Sequence, residues 1–127
     1  MPNGISASEF RVIEAKTASY ALTAQDHGKL FTTRGASGAI TFTLPPVTGP
    51  ALPSGWNCEF YNAAGQNMVI ASLGSADNIT TFNDLTADSI TFSTASELIG
   101  ASVKVTWDGT GWLAQLFTEE TQTTTVA

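Results

Sequence analysis

Two side chains, His27 and Cys58, are of types that act as bases or nucleophiles, and each type occurs once. A catalytic histidine needs a nucleophile beside it and a buried carboxylate that orients its ring. Here Asp26 precedes His27 directly and Gly28 follows, a pattern typical of a solvated turn. Cys58 lies in the run Trp-Asn-Cys-Glu-Phe-Tyr, which indicates a small buried side chain. One histidine and one cysteine do not complete the common transition-metal sites unless a partner chain supplies ligands.

Carboxylates are the other groups that could do chemistry. Asp77, Asp84 and Asp88 surround one short predicted strand, and loop carboxylates can bind Ca²⁺, but their spacing is not that of an EF-hand. Turn formation is the better interpretation, because Asp side chains bond to the backbone in reversals. Three further acidic residues, from which nothing selects a glycosidase pair, are Glu59, Glu97 and Asp108. The sequence therefore predicts no enzyme, no metal site and no cofactor.

The tryptophans Trp56, Trp107 and Trp112 offer aromatic faces on which sugar rings could stack. Each falls at an inward position of an alternating run, and Trp107 and Trp112 flank a tight turn as a cross-strand pair. We expect all three side chains in the core, with a sugar-binding platform as the alternative.

Short strands must position these side chains. The sequence is rich in threonine, and alternation is cleanest at residues 39–44, where Ile40, Phe42 and Leu44 face inward. Thr23–Gly28 predicts one helical turn, and Asp108-Gly-Thr-Gly111 predicts a hairpin. The predicted strands are 19–23, 39–44, 56–61, 67–72, 78–82, 89–93, 102–107 and 112–117. About eight or nine short strands predict an all-β fold, an antiparallel, jelly-roll-like β-sandwich.

The two ends of the chain differ from its middle. We predict an N-terminal arm at residues 1–15, a sandwich domain at 16–118 and a polar C-terminal tail at 119–127. The arm carries apolar side chains in a polar setting, which makes them candidates for contact with a partner or a neighbouring subunit, and an ordinary first strand is the alternative. These candidate contact residues are Ile5, Phe10, Val12 and Ile13.

Charge and hydropathy exclude several classes of protein. The net charge is −6 with five Lys and Arg residues, too few cations for a nucleic-acid binder. No apolar run approaches the roughly 20 residues of a membrane span. The N-terminus lacks a cationic start followed by an apolar stretch, so we expect no signal peptide and synthesis in a cytoplasm.

Several segments resemble small virion proteins of tailed bacteriophages. The shared pattern is a Tyr-x-Leu-Thr strand, an Asp-x-Gly-Lys turn and an alternating strand that ends in Leu-Pro. It is present here as Tyr20-Ala-Leu-Thr23, Asp26-His-Gly-Lys29 and Ala39-Ile-Thr-Phe-Thr-Leu-Pro45. Gly55-Trp56-x-Cys-x-Phe60 and Val-x-x-Asp108-Gly-Thr-x-Trp112 are also similar, so the resemblance covers residues 17–117.

The resemblance implies a β-module found in capsid decoration (cement) proteins, head fibres and tail-fibre or tailspike segments. The chain shows neither a long shaft nor a coiled coil, which favours a decoration protein. Such a protein would bind the major capsid protein on the virion surface as a homotrimer, with a homodimer as second choice, after synthesis in the bacterial host cytoplasm. The alternative is a tail-fibre, tailspike or head-fibre module that contacts a host glycan or protein.

Overall fold

The computed structural model describes residues 11–74, 77–81, 84–93 and 99–117, together with the backbone of 125–126. Within these ranges the chain forms a 3₁₀ helix (Ala24–Asp26) and short strands. The strands are β1 (Ile13–Ala15), β2 (Tyr20–Ala21), β3 (Leu30–Thr32), β4 (Ile40–Thr43), β5 (Asn57–Tyr61), β6 (Met68–Ala71), β7 (Ile79–Thr81), β8 (Asp84–Ala87), β9 (Ser89–Phe92), β10 (Ser102–Trp107), β11 (Trp112–Leu116) and β12 (Thr125–Val126).

The strands form two sheets of mixed direction. The seven-stranded sheet has the order β1-β3-β5-β10-β11-β7-β8, and the five-stranded sheet has the order β12-β9-β6-β4-β2. The predicted all-β class is confirmed. The antiparallel, jelly-roll-like sandwich is not confirmed, because both sheets contain parallel pairs. Alternation along one strand identifies its buried face but not the direction of its neighbours. The sequence therefore did not reveal the parallel pairs.

The first half of the chain winds back and forth between the two sheets. β1, β3 and β5 stack parallel in one sheet, and β2, β4 and β6 stack parallel in the other. Each pair of successive strands therefore lies as one rung on the rung before it, and the β1–β2 rung is the first of the stack among the described residues. Of the strands in this half, β2, β4, β5 and β6 fall in predicted runs. A first strand such as β1 was the alternative to an N-terminal arm, and β3 is not among the predicted strands.

The second half closes the fold with mostly antiparallel pairs. β9 pairs with β6, and β10 pairs with both β5 and β11. The predicted β10–β11 hairpin is confirmed: the Asp108 carboxylate accepts the backbone N–H groups of Thr110 and Gly111, each at 2.8 Å. Gly109 has a φ of 95°, a conformation that strongly favours glycine.

One hydrophobic core joins the sheets. Phe42 of the five-stranded sheet lies with its ring centroid 5.6 Å from that of Phe31 and 5.0 Å from that of Phe60, both in the seven-stranded sheet. All three side chains are fully buried. Burial of large aromatic side chains is the main favourable contribution to a fold of this size.

The predicted arm and tail both contribute strands. Ile13–Ala15 forms the edge strand β1, and Thr125–Val126 forms β12, which pairs with β9. Two of the four candidate contact residues, Ile5 and Phe10, lie outside the described residues.

Replacing a buried hydroxyl in β7 tests the account of the core. Thr81 is 4% exposed, and its Oγ1 has no hydrogen-bond partner among the described residues. We expect Thr81→Val to raise the free energy of unfolding by about 1 kcal/mol, because it removes an unpaired polar group at nearly constant volume. Urea denaturation measures this. Thr80→Val on the same strand is the control and should change little, and a less stable Thr81→Val would contradict the prediction.

Candidate functional site

A cluster of polar side chains covers the open end of the core at the first rung. Asp26, at the end of the 3₁₀ helix, is 2% exposed. Its carboxylate accepts hydrogen bonds from the Tyr20 hydroxyl and the Thr23 backbone N–H, both at 2.9 Å, and from Lys29 Nζ at 2.8 Å. The sequence predicted this turn, with Thr23 at its start, but not the burial of Asp26.

Two more residues complete the cluster. Lys29 Nζ also donates to Glu14 Oε1 at 2.7 Å, and Lys16 lies 3.2 Å from the other Glu14 oxygen. Lys16 Nζ sits 3.9 Å from the centre of the Tyr20 ring, which itself packs on Phe31 with ring centroids 5.4 Å apart. We call this set, Glu14, Lys16, Tyr20, Asp26 and Lys29, the polar cap.

The electrostatics of the polar cap favour its charged form. Burial alone would raise the pKa of Asp26, but the bonds from Lys29, Thr23 and Tyr20 outweigh it and hold that pKa below its usual value. Hydrogen bonds from Lys29 and Lys16 lower the pKa of Glu14, and bonds to Asp26 and Glu14 raise that of Lys29. Every charge therefore has a partner of opposite sign, the arrangement of a structural network.

His27 and Cys58 lie next to the polar cap but form no catalytic pair. His27 is exposed, as predicted, and its Nδ1 accepts the Asn57 backbone N–H at 3.2 Å. Cys58 is buried, as predicted, and its thiol donates to the Asp26 carbonyl oxygen at 3.1 Å. Burial raises the pKa of Cys58 to about 12, so the nucleophilic thiolate is scarce at neutral pH.

The other acidic candidates stay apart. Among the described residues, no group of three or more His, Cys, Asp or Glu side chains could hold a metal ion, and this covers Asp77, Asp84 and Asp88. The Asp84 carboxylate accepts the Thr86 backbone N–H at 2.8 Å, the turn role that the sequence indicated. Glu59 pairs with Arg11 at 2.8 Å, whereas Glu97 lies outside the described residues.

The three tryptophans are core residues. Trp56, Trp107 and Trp112 are 4%, 6% and 0% exposed. Trp107 and Trp112 are direct cross-strand partners, as predicted, with ring centroids 5.3 Å apart. A depression of about 430 Å³ opens beside Trp56, and its lining is Ala24, His27, Pro53, Ser54, Gly55 and Trp56. The buried rings do not form a sugar-binding platform.

The outer edge of the first rung, along β1, is more open than the polar cap. Lys16 N–H donates to Thr32 and Leu30 N–H donates to Val12, so the even-numbered residues of this segment face β3. The amide groups of Ile13 and Ala15 therefore point to the opposite side, where β1 has no strand partner among the described residues.

Apolar side chains accompany this open edge. Val12 is 54% exposed and Ile13 is 63% exposed. We call Val12, Ile13 and Ala15 the edge surface. Arg11 fixes its start, because the guanidinium donates to Glu59 and to the Gly28 carbonyl oxygen, at 2.8 and 3.1 Å. Sequence reasoning missed this anchor, since no local pattern links Arg11 to a carboxylate 48 residues away.

No protein-family model matches the chain, and no curated protein is significantly similar to it. Among the residues that the structure describes, no helix is both long and apolar enough to cross a membrane.

Removing the Asp26 charge tests the role of the polar cap. We expect Asp26→Asn to lower the free energy of unfolding at neutral pH by about 2 kcal/mol, because Lys29 loses its most buried partner. The folded-state pKa of Asp26 lies below the unfolded value near 3.8, so its contribution is complete above that value. The contribution is lost as the pH falls through the folded-state pKa.

Thermal unfolding of both proteins between neutral and strongly acidic pH measures this effect. The gap in melting temperature should be largest at neutral pH and should close in acid. Asp84→Asn, which removes a half-buried carboxylate outside the polar cap, is the control. A gap that stays constant with pH would contradict an ionised, paired Asp26.

Proposed function

We propose that the chain is a capsid decoration (cement) protein of a tailed bacteriophage. It binds the major capsid protein on the outside of the shell as a symmetric oligomer, with a trimer as first choice and a dimer as second. The edge surface is the observation that carries this proposal, because it joins unpaired backbone groups to exposed apolar side chains. The phage assignment itself is based on the resemblance of residues 17–117.

The edge surface suits a contact with another protein. An extended segment of a capsid subunit can add to β1 through the amide groups of Ile13 and Ala15. Val12 and Ile13 then become buried, each contributing roughly 1–2 kcal/mol, because only about half of each side chain is still exposed in the free protein. The polar cap closes the interior of the first rung, so the partner adds a strand at the edge without extending the core.

Many weak contacts of this kind would stabilise a shell. Each bound copy favours the assembled shell over free subunits, because it binds only the assembled form. Symmetric oligomers engage several subunits at once, which multiplies the affinity of a single contact. The net charge of −6 keeps the free protein soluble and discourages adhesion to anionic surfaces.

The tail-fibre, tailspike or head-fibre alternative has less support. A glycan-binding role predicts accessible Trp or Tyr rings in loops. Trp56, Trp107 and Trp112 are all buried, and the exposed Tyr61 lies in strand β5. A catalytic role has no support, since His27 and Cys58 each bond to backbone groups.

Cosedimentation with capsids that lack this protein tests the proposal. We expect saturating binding at a fixed number of copies per capsid and a higher capsid melting temperature. Absence of binding to capsids at any concentration would contradict the decoration function and favour the fibre alternative.

Variants of the edge surface test its role in that binding. Val12→Asp/Ile13→Asp should weaken capsid binding at least about tenfold, the equivalent of 1.4 kcal/mol. Leu73→Asp/Leu85→Asp adds the same charge at two other exposed apolar sites and should bind normally. Ile13→Pro removes only an outward-facing N–H and should weaken binding without breaking the β1–β3 pairs. Normal capsid binding by these edge variants would show that the edge surface is not the capsid contact.

A further inference from the structure

A second exposed apolar surface lies on the outer face of the seven-stranded sheet. Alternation along β5 turns Cys58 and Phe60 inward and Tyr61 outward, and Tyr61 is 42% exposed. Phe117, which directly follows β11, is 59% exposed. Ile99, in the turn before β10, is 66% exposed. We call Tyr61, Ile99 and Phe117 the outer patch.

The strand register brings the two aromatic residues, Tyr61 and Phe117, together. Tyr61 is the direct partner of Ser102, and Phe117 N–H donates to the Ser102 carbonyl oxygen at 3.0 Å on the other side. The two aromatic residues thus flank one serine, with backbones about 10 Å apart, two strand spacings. Tyr61 also reaches the Ile99 turn, since its hydroxyl lies 3.6 Å from where a Cβ on Gly100 would stand.

The outer patch is uncharged, although the chain has a net charge of −6. The neighbouring residues in the same cross-strand row, Thr32 and Ser102, are small and polar. In the part of the sheet that the structure describes, the nearest charged row lies two residues further along the strands and holds Glu59 opposite Lys104. An uncharged aromatic centre with a polar rim is typical of protein interfaces.

We propose that the outer patch is a contact between two copies of this chain. Two acidic molecules approach most easily through a face that carries no charge. The patch is also self-complementary: a two-fold axis parallel to β10 and in front of Ser102 places each Tyr61 on the Phe117 of the other copy. Such a two-fold contact closes on itself as a dimer.

This inference rests on the proposed function in one respect, the expectation that copies of the chain associate. Because the contact is two-fold, it favours the dimer over the trimer. The backbone edge of β1 remains free in such a dimer, since its outward amide groups point sideways in the plane of the sheet and the contact uses the face of the sheet. One face would then join the copies, while the edge surface of each copy contacts the shell. A glycan fits the outer patch less well, because its many hydroxyl groups would meet few polar partners there, chiefly the hydroxyl groups of Tyr61, Thr32 and Ser102.

The mass of the free protein, without capsids, tests the inference. Sedimentation equilibrium over micromolar to millimolar concentrations should give a mass of twice 13.3 kDa for the natural chain. Tyr61→Ser/Phe117→Ser should raise the dissociation constant at least tenfold. Leu73→Ser/Leu85→Ser, the matched control, should leave it unchanged, and circular dichroism and thermal unfolding verify that each variant folds.

Ser102→Glu is a second test that keeps both aromatic side chains. It brings two like charges to the proposed axis, so the dimer should dissociate, more strongly at low salt. Thr41→Glu, on the outer face of the other sheet, is its control and should remain a dimer.

Three results would overturn the inference. They are a natural chain that is monomeric at all concentrations, a dimer that survives the patch variants, and a monomer that binds immobilised glycans through Tyr61 and Phe117. Failure of the capsid experiment alone would not affect it, because the mass measurement contains no shell.

Discussion

The buried carboxylate of Asp26 is the constraint on which the first half of the fold depends. A parallel stack of strands must end somewhere, and its last rung would expose the core to water. Here Asp26 gathers the Tyr20 hydroxyl, the Thr23 N–H and the Lys29 ammonium at that end. Because Tyr20 also packs on Phe31, the polar cap is attached directly to the hydrophobic core. A charged network therefore closes a surface that would otherwise need another layer of strands.

The polar cap covers the core at this end, but it leaves the backbone groups on the outer edge of β1 without a strand partner among the described residues. The amide groups of Ile13 and Ala15 still face away from β3, and the side chain of Ile13 remains exposed. This combination of a sealed core with an open strand edge favours the addition of one segment and disfavours continued stacking. The same sheet presents Tyr61 and Phe117 on its outer face, away from this edge. The seven-stranded sheet thus has two exposed apolar regions, one at its edge and one on its outer face. The proposed capsid contact uses the first, and the proposed dimer uses the second.

The residue types that suggest chemistry serve the structure. The Asp26 carbonyl oxygen accepts the Cys58 thiol, the Asn57 N–H fixes the His27 ring, and the Asp108 carboxylate holds the hairpin turn. Sequence reasoning anticipated that His27 and Asp108 lie in turns, because turn signals act over a few residues. It did not anticipate the bond of His27 to Asn57, which lies 30 residues away. It did not anticipate the burial of Asp26, because the Tyr20 and Lys29 side chains converge on it only in the folded chain.

Local patterns in the sequence determined the strand class, the inward face of each alternating run and the β10–β11 hairpin. A period of two and a glycine-containing turn act over a few residues, so they can be recognised without the fold. Only the tertiary structure decided that β1, β3 and β5 run parallel and that Ile13 lies at an edge. Strand direction depends on partners that are distant in sequence, such as Leu30 and Glu59, and the alternation of side chains is the same whichever way the neighbour runs.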